Sequence, residues 1–494
     1  MKKAVLITIV AIACFAAGWT AYLQPTSPKL VTPANEKGLP KLQISCNADS
    51  FGIIWKRFKE DLYISATLTI GDKTWNAVRL RLRGDTSREF PKKSIKLKID
   101  DKGELPFGRK NLNLNAEYLD KTKMRQYLCT RLYHASGQPC YDTRHVQLYL
   151  NGYYQGVYLL VENVEKDFLA KWKLSESGDL YKATKDSACL SHYDNVPALW
   201  EKKGPKGDSS FLPLEALIAK LNQTPDREYA EMVKKTLNYE NMVNAIALNM
   251  LIGNRSTYYH NYFMYLSPKP KRWNYLPWDM DNTFVYAERD DPYHRGNLSD
   301  SHWGNMASNP LFERAITDET ILKDIQARVE ALAAKYFNPQ WLFPIIDSLD
   351  MALRQPVLLD SSIQAMTNAD WEVELAHLKD YVRERPQILK DQFAKFPHSF
   401  RLIQPTMPLH AGDTLRWTAA IDPNGDALTY RICYCQDAFF PREQNTCKLK
   451  LPHNYFVLPQ GLAAGKYFWK VLASDGTHEV RGFDTRSTFI YQVP

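Results

Sequence analysis

Asn261 in GNRSTYYHNYFMY and Asp279 in LPWDMDNTF combine two residue types that hold hard divalent cations. NYFMYL and RWNYLPWD read as a short strand pair, which brings the amide and the carboxylate to adjacent strand ends. Mg2+ takes oxygen ligands, with one or two from the protein and the rest from phosphate and water, so an Asn and an Asp suffice only when a nucleotide completes the shell. Asp281 lies two positions further on and points to the same side if the strand continues, as a second candidate carboxylate. The competing interpretation is a polar turn whose Asp side chains cap the backbone, and spacing alone favours it.

Several elements must hold that pair in place. NYENMVNAIALNMLIG reads as a helix with Met242, Ile246 and Asn249/Met250 on a face and Gly253 as its C-cap, the last part of a mostly helical stretch over 211–252. Upstream, YISATLTIG, NAVRLRLRG and SIKLKID alternate with period two and predict strands. In DKTKMRQYLCTRLYHASGQP, Met124, Leu128, Leu132 and Ala135 share a helical face, with Asp120 or Thr122 as cap and Gly137 and Pro139 as stop. HVQLYLNGYYQGVYLLVENV predicts a hairpin, because Asn151-Gly152 suits a type I′ turn. Amphipathic helices are expected over 309–395.

Composition is globular: of 494 residues, 45% are hydrophobic and 24% charged, so large cores can be buried in two or three domains. The formal charge of +8 comes without a compact basic block or a nucleic-acid motif, and DNA and RNA are not expected partners. MKKAVLITIVAIACFAAGWTAYLQP carries two lysines and then an uncharged run from Ala4 to Leu23, the layout of an export signal over 1–23 that also has the length of a membrane anchor. A Pro-rich linker follows over 24–40. Eight cysteines suit an exported chain, with Cys129–Cys140 and Cys447 with Cys433 or Cys435 as disulfide candidates, and no spacing suits zinc.

Beyond residue 400 the texture changes to strands separated by Gly, Pro and Asp turns. In KYFWKVLAS, Tyr467, Trp469, Val471 and Ala473 face one way, as in one sheet of a sandwich. Residues 400–494 resemble a fibronectin type III module, an immunoglobulin-like all-β sandwich, which implies display or glycan contact rather than catalysis.

Taken in order, RLRGDTSREFPKKSIKLKI, NLNLNAEYLDKTKMRQYL, the hairpin, GDLYKA, LIGNRSTYYHNYFMY and WNYLPWDMDNTF resemble the spore coat protein H (CotH) kinase-like family over about residues 41–395. The resemblance implies an α+β, atypical protein-kinase-like fold. It also implies an activity that uses ATP with Mg2+ or Mn2+ to phosphorylate Ser or Thr of extracytoplasmic or cell-surface proteins. Carried onto this chain, Asp279 and Asn261 become the metal ligands. Arg83, Lys93 or Lys96, Glu162 and Lys182 become nucleotide-binding residues, with the Gly84–Phe90 stretch folding over phosphates and Glu162 pairing with the lysine or facing adenine.

One position departs from the family pattern. The kinase catalytic loop places its Asp base five residues before the metal-binding Asn, and that position here is Ser256. A hydroxyl accepts a proton far less well than a carboxylate, and His260, Asp281 and Glu288 are the substitutes nearby. Ser256 and Asp281 are therefore the candidate catalytic residues of an active exported kinase. The alternatives are a pseudokinase that binds nucleotide or a partner, and an adhesive surface scaffold.

Overall fold

A computed structural model of the chain describes residues 38–494, apart from 186–187, 192–194, 255, 258–259, 286–308, 362–365, 438–445, 484–487 and 493–494. The expected export segment and Glu288 lie outside the described residues. The chain divides into two compact units.

The first unit comprises residues up to 123, 142–163 and 347–374. It holds β1 (Lys41–Cys46), α1 (Ala48–Lys56), β2 (Ile64–Ile70), β3 (Lys73–Arg83), β4 (Ser94–Ile99), β5 (Asn111–Asn115), β6 (Thr143–Leu150) and β7 (Tyr153–Val161). The strands close into a barrel in the order β1-β2-β3-β4-β5-β7-β6. Alternate residues fill it, among them Leu68, Leu80, Leu97, Leu112, Leu148 and Leu160, while Phe51 and Ile54 of α1 join the same core. The period-two pattern follows from this arrangement: one face of every strand meets the barrel axis and the other does not. The β6–β7 turn is the expected one, with both Asn151 (φ 49°) and Gly152 (φ 84°) in the left-handed region.

A buried ion pair joins distant parts of this unit. The Lys92 ammonium, its side chain 1% exposed, lies 2.6 Å from Asp360 Oδ2, donates to the Val157 carbonyl at 2.8 Å and sits over the Tyr158 ring. Burial pulls the Lys92 pKa down, and the Asp360 carboxylate works against that fall. Gly156 (φ 87°) is what lets Asp360 approach, since a Cβ there would run into the carboxylate. Nearby, Lys123 is wholly buried, donates to the Glu117 carbonyl at 2.6 Å and is pushed down to about 8 by burial. Lys123 itself takes up a left-handed backbone (φ 60°).

That backbone corrects the expected helix start. The helix begins at Arg125 rather than under an Asp120 or Thr122 cap, and Asp120 instead accepts from the Thr122 amide and hydroxyl in the preceding turn.

The second unit comprises residues 124–141, 164–346 and 375 onward. Its elements begin with α2 (Arg125–Ala135), α3 (Lys166–Lys171), β8 (Asp179–Ala183), α4 (Val196–Leu199) and β9 (Trp200–Gly204). Then come α5 (Leu212–Gln223), α6 (Asp226–Thr236), α7 (Tyr239–Ile252), β10 (Tyr262–Leu266), β11 (Trp273–Pro277), α8 (Pro310–Thr317) and α9 (Glu319–Lys335). The unit boundaries fall within the last two helices, α10 (Pro339–Leu358) and α11 (Asn368–Lys395). The expected β10–β11 pair exists, and it belongs to a four-stranded sheet of order β11-β10-β8-β9.

Residues beyond 400 form a three-stranded sheet, β12 (Leu402–Ile403), β13 (Thr414–Trp417) and β16 (Tyr455–Val457). A second sheet contains β14 (Thr429–Cys435), β15 (Thr446–Leu451), β17 (Gly465–Ser474), β18 (Glu479–Arg481) and β19 (Thr488–Tyr491). Leu415, Trp417 and Phe456 of the first sheet share one core with Ile432, Tyr434, Trp469 and Val471 of the second. Tyr467, Trp469, Val471 and Ala473 are all buried, as their alternation predicts. Arg401 and Arg314 grip the two oxygens of Asp226 at 2.7 and 2.8 Å, which fastens the start of these strands to α6 and α8.

The disulfide is Cys433–Cys447, between neighbouring positions of β14 and β15. Cys129 and Cys140 are buried and form no disulfide, contrary to the expected pairing, because the Cys129 thiol is turned toward the Met280 carbonyl and the Thr283 hydroxyl.

The Lys92–Asp360 pair predicts an asymmetric mutational response. Asp360→Ala strands a buried ammonium and is expected to cost about 3–5 kcal/mol, whereas Lys92→Met with Asp360→Leu recovers much of that loss. Urea midpoints of the three chains test this, and equal stability of D360A and wild type would contradict it.

Candidate functional site

The candidate site is built on the end of α7. This helix is buried on every side from Asn241 to Ile252, so its Asn side chains must find partners inside the protein. Asn241 satisfies both backbone groups of Tyr275 on β11, donating at 3.2 Å and accepting at 2.8 Å. Asn244 donates to Gln138 and Ser136, just beyond α2. Asn249 accepts from the Tyr133 hydroxyl of α2 at 2.9 Å and from Asn254 Nδ2 at 3.0 Å.

The helix stops where the sequence indicates. Gly253 is left-handed (φ 60°, ψ 44°), and its N–H reaches back to the Asn249 and Met250 carbonyls. A side chain there would strike the Tyr381 hydroxyl, so the position requires glycine for space as well as for φ. Arg385 places its guanidinium on the Met250 carbonyl at 2.9 and 2.6 Å, a cation at the negative end of the helix.

From this end a chain of side-chain contacts runs to the proposed ligands. The Ser256 amide donates to Asn254 Oδ1 at 3.3 Å, and Asn261 Nδ2 donates to Ser256 Oγ at 3.3 Å. Ser256 is buried, and the adjacent Thr257 hydroxyl bonds to Tyr275. The structure therefore brings the residue at the base position into contact with the candidate metal amide.

Asp279 reaches the same place from the other strand. Tyr262 pairs with Pro277 and the Trp278 amide donates to the Asn261 carbonyl at 3.1 Å, so Asn261 faces Trp278 and Asp279 follows directly. Asn261 (φ 60°) and Asp279 (φ 54°) both adopt the left-handed backbone. For residues with a Cβ this conformation is costly, and two at neighbouring strand ends mark a place where the fold holds unfavourable geometry. The loop beyond is pinned from below: the Phe284 amide donates to the Ile252 carbonyl, and the Thr283 hydroxyl to the Met280 carbonyl.

Lys182 joins this group. It lies on β8 opposite Phe263, and its ammonium sits 5.3 Å from the centre of the Trp278 ring, the residue before Asp279. Asp281 and His260 are half-buried in the same loops.

The residues proposed from the first unit take different courses. Arg83, Ser94 and Asn115 are cross-strand neighbours on the outer face of the barrel, as are Arg81, Lys96 and Asn113, and the Arg83 guanidinium bonds to Asn115. Lys93 is turned into its own loop, where its ammonium takes the Arg88 and Phe90 carbonyls and lies over Phe58 and Trp55. Burial pushes its pKa down to about 8. The Gly84–Phe90 stretch forms a short turn over Thr86–Glu89, with Arg88 bonded to Asp61. The Glu162 carboxylate accepts from the Asp142 amide at 2.8 Å and lies 3.5 Å from Arg109. Of the two lysines on this strand and its approach, Lys96 is the one on the outer face with Arg83.

Asn249, Asn254, Tyr133 and Arg385 were missed from sequence, although three Asn between 241 and 249 in a largely apolar helix, with Asn254 just past its end, are a readable sign of buried amides in need of partners.

A family model described as CotH kinase protein matches residues 80–389. Inner spore coat protein H of Bacillus subtilis (strain 168) is 24% identical over 372 residues, which span 73% of this chain and 99% of that protein. Two solved structures align with much lower likeness. The Shewanella oneidensis HipA–HipB–operator complex gives a TM-score of 0.27 at 10% identity over 60% of each chain. The Helicobacter pylori proinflammatory kinase CtkA gives 0.24 at 8% identity over 60% of this chain and 92% of its own.

Asn254 links Asn249 to Ser256, and its removal leaves an amide N–H and a side-chain oxygen buried with a partner lost. Asn254→Ala is expected to lower stability by about 1–3 kcal/mol, measured as a shift in urea midpoint, and a shift near zero would contradict the role given to it.

Proposed function

The chain belongs to the CotH kinase family, and from that membership and the geometry at Asn261 we propose that it transfers the γ-phosphoryl group of ATP to a protein acceptor. The observation that carries this reading is the contact of Asn261 with Ser256 at the strand end that faces Trp278 and leads to Asp279.

The donor set fits a hard divalent ion. Asn261 commits its Nδ2 to Ser256, which leaves the amide oxygen as a ligand, and no hydrogen bond or ion pair engages the Asp279 carboxylate among the described residues. No three His, Cys, Asp or Glu side chains cluster to hold a metal among those residues, so phosphate oxygens would complete the shell. Asn261 and Asp279 would hold Mg2+ or Mn2+ there, and the ion would supply positive charge against the phosphates. The protein's part is to orient: Ser256 fixes the Asn261 amide, Asp279 holds its carboxylate on a pinned loop, and Lys182 adds a cation beside Trp278. Asp281, two residues beyond Asp279, is the further carboxylate proposed at the site, as a second ligand. Arg83 and Lys96, on one polar face, are the proposed nucleotide-binding side chains, and Glu162 is held rigidly by its own partners.

Ser256 favours a second reading, a pseudokinase or surface scaffold that binds nucleotide, protein or glycan without turnover. We further propose export and an extracytoplasmic partner. The relative named as a spore coat protein and the lysine-led N-terminal run support this, the run being read as a signal or anchor. Among the described residues no helix is long and apolar enough to cross a membrane. The two sheets beyond residue 400, joined by one core, support the fibronectin type III-like reading of 400–494.

Labelled ATP with Mn2+ or Mg2+ and the full chain tests the reading. Transfer to protein is expected, abolished by chelation and reduced about a hundredfold or more in Asp279→Ala and Asn261→Ala. Metal-dependent binding without transfer would favour the pseudokinase, and transfer unaffected by both variants would overturn the site.

A further inference from the structure

We infer that the acceptor at this site is a carboxylate, which makes the product an acyl phosphate; this rests on the phosphoryl-transfer reading above. The observation is the side chain at position 256. It stands where a hydroxyl-phosphorylating enzyme needs a base, it touches the metal-side amide of Asn261, and it is buried and neutral. A general base contributes about 10²–10⁴ in rate when the acceptor must lose a proton. An acceptor with a pKa of ~4 has already lost it at neutral pH.

The step balances without a base. An ionised carboxylate oxygen forms a bond to the γ-phosphorus, the bond from that phosphorus to the β–γ bridging oxygen breaks, and the electron pair leaves with ADP. No proton leaves the acceptor. With an Asp at position 256, a second carboxylate would have to approach a fixed negative charge in a partly desolvated site, where repulsion is strong. Ser256 removes that charge and keeps an oxygen to accept from Asn261. A cation also lies close by in the fold: the Lys182 ammonium is 5.3 Å from the centre of the ring of Trp278, the residue before Asp279, and Lys182 is on the strand next to β10. Ser256 then acts as a selector of acceptor charge, and a hydroxyl acceptor is the poorer substrate.

The test uses the full chain with γ-labelled ATP and Mn2+, and three acceptors: poly-L-glutamate, dephosphorylated casein and the chain itself. Products are divided and treated with neutral hydroxylamine, which cleaves acyl phosphates and leaves phosphoesters intact. The expected result is label on poly-L-glutamate or the chain that falls at least tenfold with hydroxylamine and is absent from Asp279→Ala. Ser256→Asp, whose carboxylate can still accept from Asn261, is expected to shift the labile-to-stable ratio toward phosphoester at least tenfold, while Ser256→Asn, larger but neutral, does not. Hydroxylamine-stable label from the wild-type chain would overturn the inference and leave the kinase reading standing. An inert wild type beside a Ser256→Asp chain that labels casein would also overturn it, since Ser256 would then be only a lost base. Absence of label from the wild-type, Ser256→Asp and Ser256→Asn chains with every acceptor would overturn the transfer reading together with the inference.

Discussion

Buried amides at the end of α7 have to be satisfied inside the protein, and the candidate site is a consequence of how they are. Water cannot reach Asn249 or Asn254, so each bond they make is enforced by the cost of leaving it unmade. Tyr133, Asn249, Asn254, Ser256 and Asn261 form a single series of contacts, and moving one link disturbs the rest. The left-handed backbones of Gly253 and Asn261 lie along this series, and that of Asp279 follows Trp278, whose amide donates to the Asn261 carbonyl. For the two that carry side chains, the network supplies the over-determination that keeps a costly conformation populated.

The first unit solves a similar problem with charge. Lys92 and Asp360 are both desolvated, which is costly for each ion, and the pair is tolerable because the Val157 carbonyl and the Tyr158 ring satisfy what remains of the ammonium. The cations of the neighbouring basic segments differ in where the fold places them. Lys92, Lys93 and Lys123 are absorbed by carbonyls or carboxylate, whereas Arg83 and Lys96 stay on the outer barrel face among Asn113 and Asn115. Neighbouring lysines of one basic run thus have unlike roles, set by burial rather than by residue type.

Much of the frame was legible in the sequence. Period-two runs gave the barrel strands, Asn151-Gly152 the hairpin, Gly253 the helix stop, and the short pair of strands the meeting of Asn261 with Trp278 and Asp279. These are local signals, in which one or two residues decide a backbone conformation. What stayed hidden depends on distant partners. Barrel closure requires β1 to pair with β6, the placement of Lys182 requires β8 to pair with β10, and nothing within either strand records its neighbour. Lys93 looked like a phosphate-reaching side chain because alternation says which way a residue points and not what it meets. The Cys129–Cys140 pairing failed on the same ground: closeness in sequence did not disclose that the Cys129 thiol faces Thr283.

The central claim is that Asn261 and Asp279 form one cation site when nucleotide is present. Its most direct measurement is the anomalous difference map of crystals of the chain grown with Mn2+ and a non-hydrolysable ATP analogue, collected above the manganese edge. The account predicts a manganese peak about 2.0–2.3 Å from Asn261 Oδ1 and an Asp279 oxygen, completed by phosphate oxygens. Nucleotide bound with its manganese away from both residues would contradict it.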